Sequence, residues 1–120
     1  NSGQRILVNG ARREVDAEVA ALVGKGEVDR ALALVAIEAQ TRYGLTMRLY
    51  RQDTLDTFVL VARAAELSWG TLVGLLLNHL GVGASANEIN RSRRLFENTT
   101  RGEALSAIRT ITLTEARLTG

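Results

Sequence analysis

Apolar side chains recur along most of this chain at intervals of three and four residues, the period that gathers them on one face of an α-helix. Between Ala11 and Gly24 the positions are Val15, Val19, Leu22 and Val23, and Gly24-Lys25-Gly26 supplies the permissive backbone that ends one helix and starts another. From Glu27 to Ala39 the apolar residues Val28, Ala31, Leu32, Leu34, Val35 and Ile37 cover more than one face. That is the pattern of a helix packed on two sides, so this second helix is expected at the centre. The chain is then expected to turn at Tyr43-Gly44 and to form a short third helix from Leu45 to Tyr50.

Polar residues mark the remaining starts. Asp53 can accept hydrogen bonds from the free amides of a first helical turn, and Asp56 adds negative charge to the same positive end. A fourth helix is therefore predicted through Leu55, Phe58, Val59, Val61 and Ala62 to about Glu66. Ser68 caps a fifth from Trp69 to Leu80, which Gly81-Val82-Gly83 stops. Ser85 with Glu88, and Thr100 with Glu103, have the spacing of a capping box and open two more helices. The sixth carries Ile89, Leu95 and Phe96 inward; the seventh carries Ala104, Leu105 and Ile108, with Ile111 and Leu113 continuing the face. The expected fold is all-α, six to seven helices in stacked antiparallel hairpins over residues 11–113. Residues 1–10 are expected as a tail in which Ile6 to Val8 is the one β-like fragment, and residues 114–120 as a frayed end.

Leu34 to Leu49 echoes Leu60 to Leu75 at an offset of 26 residues, with six identities in sixteen positions. A unit this small cannot bury its apolar face alone, so copies are expected to stack as a helical repeat sharing one core. Tyr43 and Trp69 hold equivalent positions in the echo. An aromatic there locks two helices together or, when exposed, anchors a partner.

Composition sharpens the picture. The chain has no cysteine, which excludes disulfides, thiolate nucleophiles and cysteine-built zinc sites and fits a reducing cytoplasm. It has no proline to interrupt a helix and few aromatics for a β-sandwich. The formal net charge of +2 does not demand a polyanionic partner. The longest uncharged apolar run, Leu67 to Leu80, is interrupted by Ser68, Asn78 and His79 and falls short of the roughly 20 residues of a membrane span.

Candidate chemistry is sparse. His79 is the single histidine, and neither His-x-x-x-His nor Glu-x-x-His spacing is present, so no metal, cofactor or catalytic centre is expected. The glycine pairs at 24/26 and 81/83 lack the arrangement that cradles phosphate, and Gly70 and Gly74 are expected to permit close helix approach. Two kinds of partner remain. Segment 62–75 is spaced like a helix-turn-helix, although Glu66 replaces the usual turn glycine and Trp69 to Leu80 offers almost no side chain able to read bases. Arg91, Arg93, Arg94 and Arg101 form the densest basic cluster, with Arg91 and Arg94 on one helical face. A DNA-binding regulator using 62–75 and the cluster 91–101 is thus the alternative to a non-catalytic protein-binding scaffold, with self-association a further possibility. Tyr43, Trp69, Arg91, Arg94 and Arg101 are the candidate partner-binding residues.

Ala31 to Ala39, the block Val59-Leu60-Val61-Ala62-Arg63-Ala64-Ala65-Glu66-Leu67-Ser68-Trp69-Gly70-Thr71, and Arg94-Leu95-Phe96 through Ala104 to Arg109 resemble an alphaproteobacterial helical-repeat (HEAT-like) domain family of unknown function. The resemblance implies a superhelical array in a cytoplasmic bacterial protein, often as part of a longer chain, and supplies no catalytic residues. HEAT-type units are typically longer than the 26-residue echo found here.

Overall fold

A computed structural model describes residues 14–52, 55–80 and 85–119, and among these every regular element is a helix. Helix α1 covers residues 14–24, followed by α2 (Val28–Glu38), α3 (Tyr43–Tyr50), α4 (Asp56–Ala64), α5 (Trp69–Leu80), α6 (Ala86–Asn98) and α7 (Arg101–Thr119). The expected Asp53 cap, the Gly81-Val82-Gly83 stop and the tail at 1–10 lie outside the described residues.

The capping predictions that fall on described residues meet their hydrogen bonds. Ser85 Oγ accepts from the Glu88 amide at 3.1 Å, and Thr71 N donates to Ser68 Oγ at 3.3 Å. The box at α7 closes in both directions: Glu103 N donates to Thr100 Oγ1 and Thr100 N donates to Glu103 Oε1, each at 3.1 Å. Hydrogen bonding from the Thr100 amide, and then from its hydroxyl, holds the Glu103 carboxyl below its usual range. Helix α5 has a second, long-range cap: Ser68 N donates to Asp16 Oδ1 at 2.9 Å, which ties α1 to the start of α5.

Three helices end in the same turn. Gly26, Gln40 and Glu66 have φ of +78°, +59° and +59°, in the left-handed region. Each donates back to a carbonyl three residues earlier, and the following amide reaches five residues back: Glu27 N to Leu22 O at 2.9 Å, Thr41 N to Ala36 O at 3.0 Å, and Leu67 N to Ala62 O at 3.1 Å. This pair of bonds is the Schellman ending, which satisfies the carbonyls a helix leaves open. Glycine supplies the conformation at position 26, as expected. At positions 40 and 66 longer side chains adopt it, so the second turn centres on Gln40, and α3 begins at Tyr43 instead of Leu45. The two segments that echo each other therefore pass through the same states. Val35 and Val61, Ala36 and Ala62, Ala39 and Ala65, and Leu49 and Leu75 are buried in both, and Leu34 and Leu60 pack half-buried against the core.

The centre of the molecule is α4, which corrects the expectation for α2. Helix α4 buries Phe58, Val59, Val61, Ala62 and Ala64 and touches α2, α3, α6 and α7. Helix α2 buries Ala31, Leu32, Val35 and Ala36 but leaves Ile37 70% exposed, so one flank meets solvent. The most extensive helix-to-helix contact joins α4 to α7, bringing the end of the described chain back onto its middle. The radius of gyration is 14.3 Å, near the roughly 13.6 Å of a globular chain this long.

Residues 114–119 lie within α7, where Arg48 pairs with Glu115, and the Thr41 and Thr112 hydroxyls lie 2.6 Å apart. Two smaller expectations are corrected. Leu113 does not continue the inward face; it is 59% exposed. Gly70 has open space where a side chain would start, and at Gly74 a Cβ would meet Val23 at an ordinary 3.8 Å, so neither glycine is required by close helix approach.

Candidate interaction surfaces

Tyr43 and Trp69 each begin a helix after a left-handed turn, yet their surroundings differ. The Trp69 indole lies 5.7 Å from the Phe96 ring of α6 and is half-buried, whereas Tyr43 is 43% exposed. Trp69 is therefore a packing residue, and of the pair only Tyr43 is placed to meet a partner.

The predicted arginines separate in the same way. Arg101 Nε donates to Ala64 O at 3.1 Å and pairs with Glu66 Oε1 at 3.3 Å, so it closes the C-terminal end of α4 and holds the carboxylate of a left-handed residue. Arg63 makes the matching bond outward, Nε to Thr99 O at 2.7 Å, with its guanidinium 5.1 Å from the Phe96 ring centre. Together these contacts latch the α4–α5 turn to the α6–α7 turn. Charge-assisted bonds to partly buried carbonyls stabilise more than exposed ion pairs do. Arg91 pairs with Asp56 at 2.6 Å and Arg93 with Glu97 at 2.9 Å, both exposed, while Arg94 is exposed on α6 with no ion pair among the described residues.

A different set of exposed residues lies on α2, α3 and α7. The hydrogen bond between Thr41 and Thr112 sets the α2–α3 turn against α7, with Ile37 and Tyr43 flanking the turn and Leu113 next to Thr112. Among the described residues, Ile37, Tyr43 and Leu113 are three of the four large hydrophobic residues that stand out as exposed, the fourth being Leu77 on α5. Arg42 and Arg109 are exposed beside them in sequence, and Arg48 of α3 reaches Glu115 of α7 across the same seam. The twelve residues from Arg101 to Leu113 separate these two positions by about 18 Å along α7.

Ile37 and Leu113 escape a reading based on apolar spacing alone, since both extend stripes that look buried. A wheel reveals them: Ile37 shares a face with Arg30, seven residues back, and Leu113 sits between Arg109 and Arg117 at intervals of four. An apolar side chain on an otherwise polar face is the signal.

His79 lies at the end of α5 with its ring 5.1 Å from Tyr50, whose own ring is 5.0 Å from Phe58. Tyr50 Oη donates to Leu75 O at 2.7 Å, joining α3 to α5, and burial pushes the phenol up to about 12. Among the described residues no three His, Asp or Glu side chains converge as metal ligands. An open depression at the α1–α2 turn is lined by residues 26–30, where Arg30 pairs with Glu27 at 3.5 Å. Among the described residues no helix is long and apolar enough to cross a membrane. On α5 the exposed positions are Gly70, Leu77 and Asn78, which gives a groove-reading role little to work with.

Comparison with protein-family models, with curated proteins and with solved structures finds no match to this chain.

Proposed function

We propose that this chain is a non-catalytic protein-interaction module whose docking surface is the apolar face of Ile37, Tyr43 and Leu113. The observation that carries this reading is the exposure of those three large apolar side chains on α2, α3 and α7, where the Thr41–Thr112 bond joins the α2–α3 turn to α7. Full burial of one such side chain stabilises by about 1.5–3 kcal/mol, so three in one contact can offset much of the entropy lost on association. Tyrosine adds a hydroxyl to a large apolar ring, the combination enriched among residues that dominate interfaces. Arg42 and Arg109 provide a charged rim that would orient the partner.

The matched turns at Gln40 and Glu66 and the 26-residue echo support a repeat-built origin for this scaffold, in line with the resemblance to HEAT-like helical repeats of bacterial cytoplasmic proteins. The partner on this reading is another protein or a second copy of the chain.

A photo-crosslinking side chain placed at position 43, with position 78 on α5 as control, tests the proposal in the source cell. One defined partner should be captured from position 43 alone and lost in the Ile37→Ser/Leu113→Ser double variant, while thermal melting stays unchanged. Equal capture from both positions, or capture that survives the double variant, would overturn it. Sedimentation of the purified chain tells a second copy from a different protein.

A further inference from the structure

Helix α6 presents a second surface of quite different chemistry. It rests on α4 and α5 through Ile89, Ser92 and Phe96, which leaves the opposite side to solvent. Asn87, Asn90, Arg91, Arg94 and Asn98 are all exposed, and at 100° per residue they fall within about 100° of the helix circumference. The outward stripe thus consists of amides and guanidiniums only. The acids of α6 stand off it: Glu97 pairs with Arg93 on one flank, and Glu88 lies on the other, its backbone amide donating to the cap at Ser85.

We propose that this stripe reads duplex DNA in the major groove. The thirteen residues of α6 span about 20 Å, and the groove is about 12 Å wide and admits one helix. Arginine pairs with the O6 and N7 acceptors of guanine, and asparagine with the N6 donor and N7 acceptor of adenine. Three asparagines favour DNA over an acidic protein segment, because a carboxylate engages only the donor half of an amide, whereas the adenine edge engages donor and acceptor together. The bond from Arg91 to Asp56 is exposed and weak enough to yield to a guanine or a phosphate. The α5 helix of the helix-turn-helix-like segment plays no part, and the stripe is separate from the apolar face at Ile37, Tyr43 and Leu113, so either proposal can fail alone.

The test is fluorescence anisotropy of the full chain with a labelled random-sequence duplex over a salt series, followed by selection from a randomised duplex library. Binding should weaken with salt at a log–log slope of about −2 to −3. Arg94→Ala should weaken it about tenfold, and Asn87→Ala/Asn90→Ala should erase the selected base preference while leaving the salt slope in place. Three results would overturn the proposal: no binding at low salt, binding unaffected by either variant with circular dichroism unchanged, or polyglutamate binding that these variants abolish while duplex binding is absent.

Discussion

The turns at Gln40 and Glu66 share a backbone, a hydrogen-bond pattern and the buried residues around them, yet one is sealed and the other is open. Arg101 and Arg63 latch the Glu66 turn to the later helices, and Phe96 covers Trp69. At the Gln40 turn the later chain makes the Thr41–Thr112 bond and the Arg48–Glu115 pair, and Ile37 and Tyr43 remain exposed. Local sequence sets the form of such a turn. What packs on it afterwards decides whether its aromatic is core or contact surface.

Removing each aromatic should separate the two turns most. Trp69→Ala is expected to cost about 3 kcal/mol in urea denaturation through lost packing with Phe96 and the core, and Tyr43→Ala about 0.5 kcal/mol or less. Comparable losses would mean that Tyr43 is covered too. Next in size is Arg101→Ala, which removes the bond to Ala64 O and the pair with Glu66; a loss of about 1.5 kcal/mol is expected.

Tyr50 bridges the helices that follow the two turns, and its removal should rank third. Tyr50→Phe deletes the bond to Leu75 O and should cost about 1 kcal/mol. The same group makes stability sensitive to base. Its folded value of about 12 lies above the ordinary tyrosine value of 10.0, so the folded state holds the proton more tightly, and stability should decline as pH rises from 10 towards 12. Phenolate absorbance in a Tyr43→Phe background isolates this titration; an onset near 10 in the folded protein would contradict the burial.

The finest distinction concerns the left-handed residues themselves. Glycine adopts this conformation without steric cost, so Gln40→Gly should stabilise by about 0.5 kcal/mol. Glu66→Gly should yield no gain, because the relief of strain is offset by loss of the pair with Arg101. Equal gains in thermal melts would show that the latch contributes nothing.

Much of the helical layout is legible in the chain because it rests on short-range rules: caps at Ser68, Ser85 and Thr100, a glycine ending at Gly26, and apolar periodicity between them. The left-handed endings at Gln40 and Glu66 are not legible, since neither residue type signals that conformation. The echo does pair the two positions, and in doing so points to their common state. Choosing α4 over α2 as the centre depends on how α6 and α7 return, and apolar density is similar in the two helices. The role of Arg101 rests on contacts more than thirty residues away in sequence. Of the candidate surface, Tyr43 could be named from the echo, while Ile37 and Leu113 were hidden among stripes that read as core.

The closure of α7 onto α4 has a consequence for how this molecule comes apart. In an open solenoid each unit leans only on its neighbours, so the ends can unzip while the middle holds. Here α7 is a wall of the innermost helix, and fraying it would open the face of α4 that it covers to water. Denaturant should therefore melt the chain in a single transition, with a steep slope set by the whole interior and kinetics limited by bringing two distant segments together.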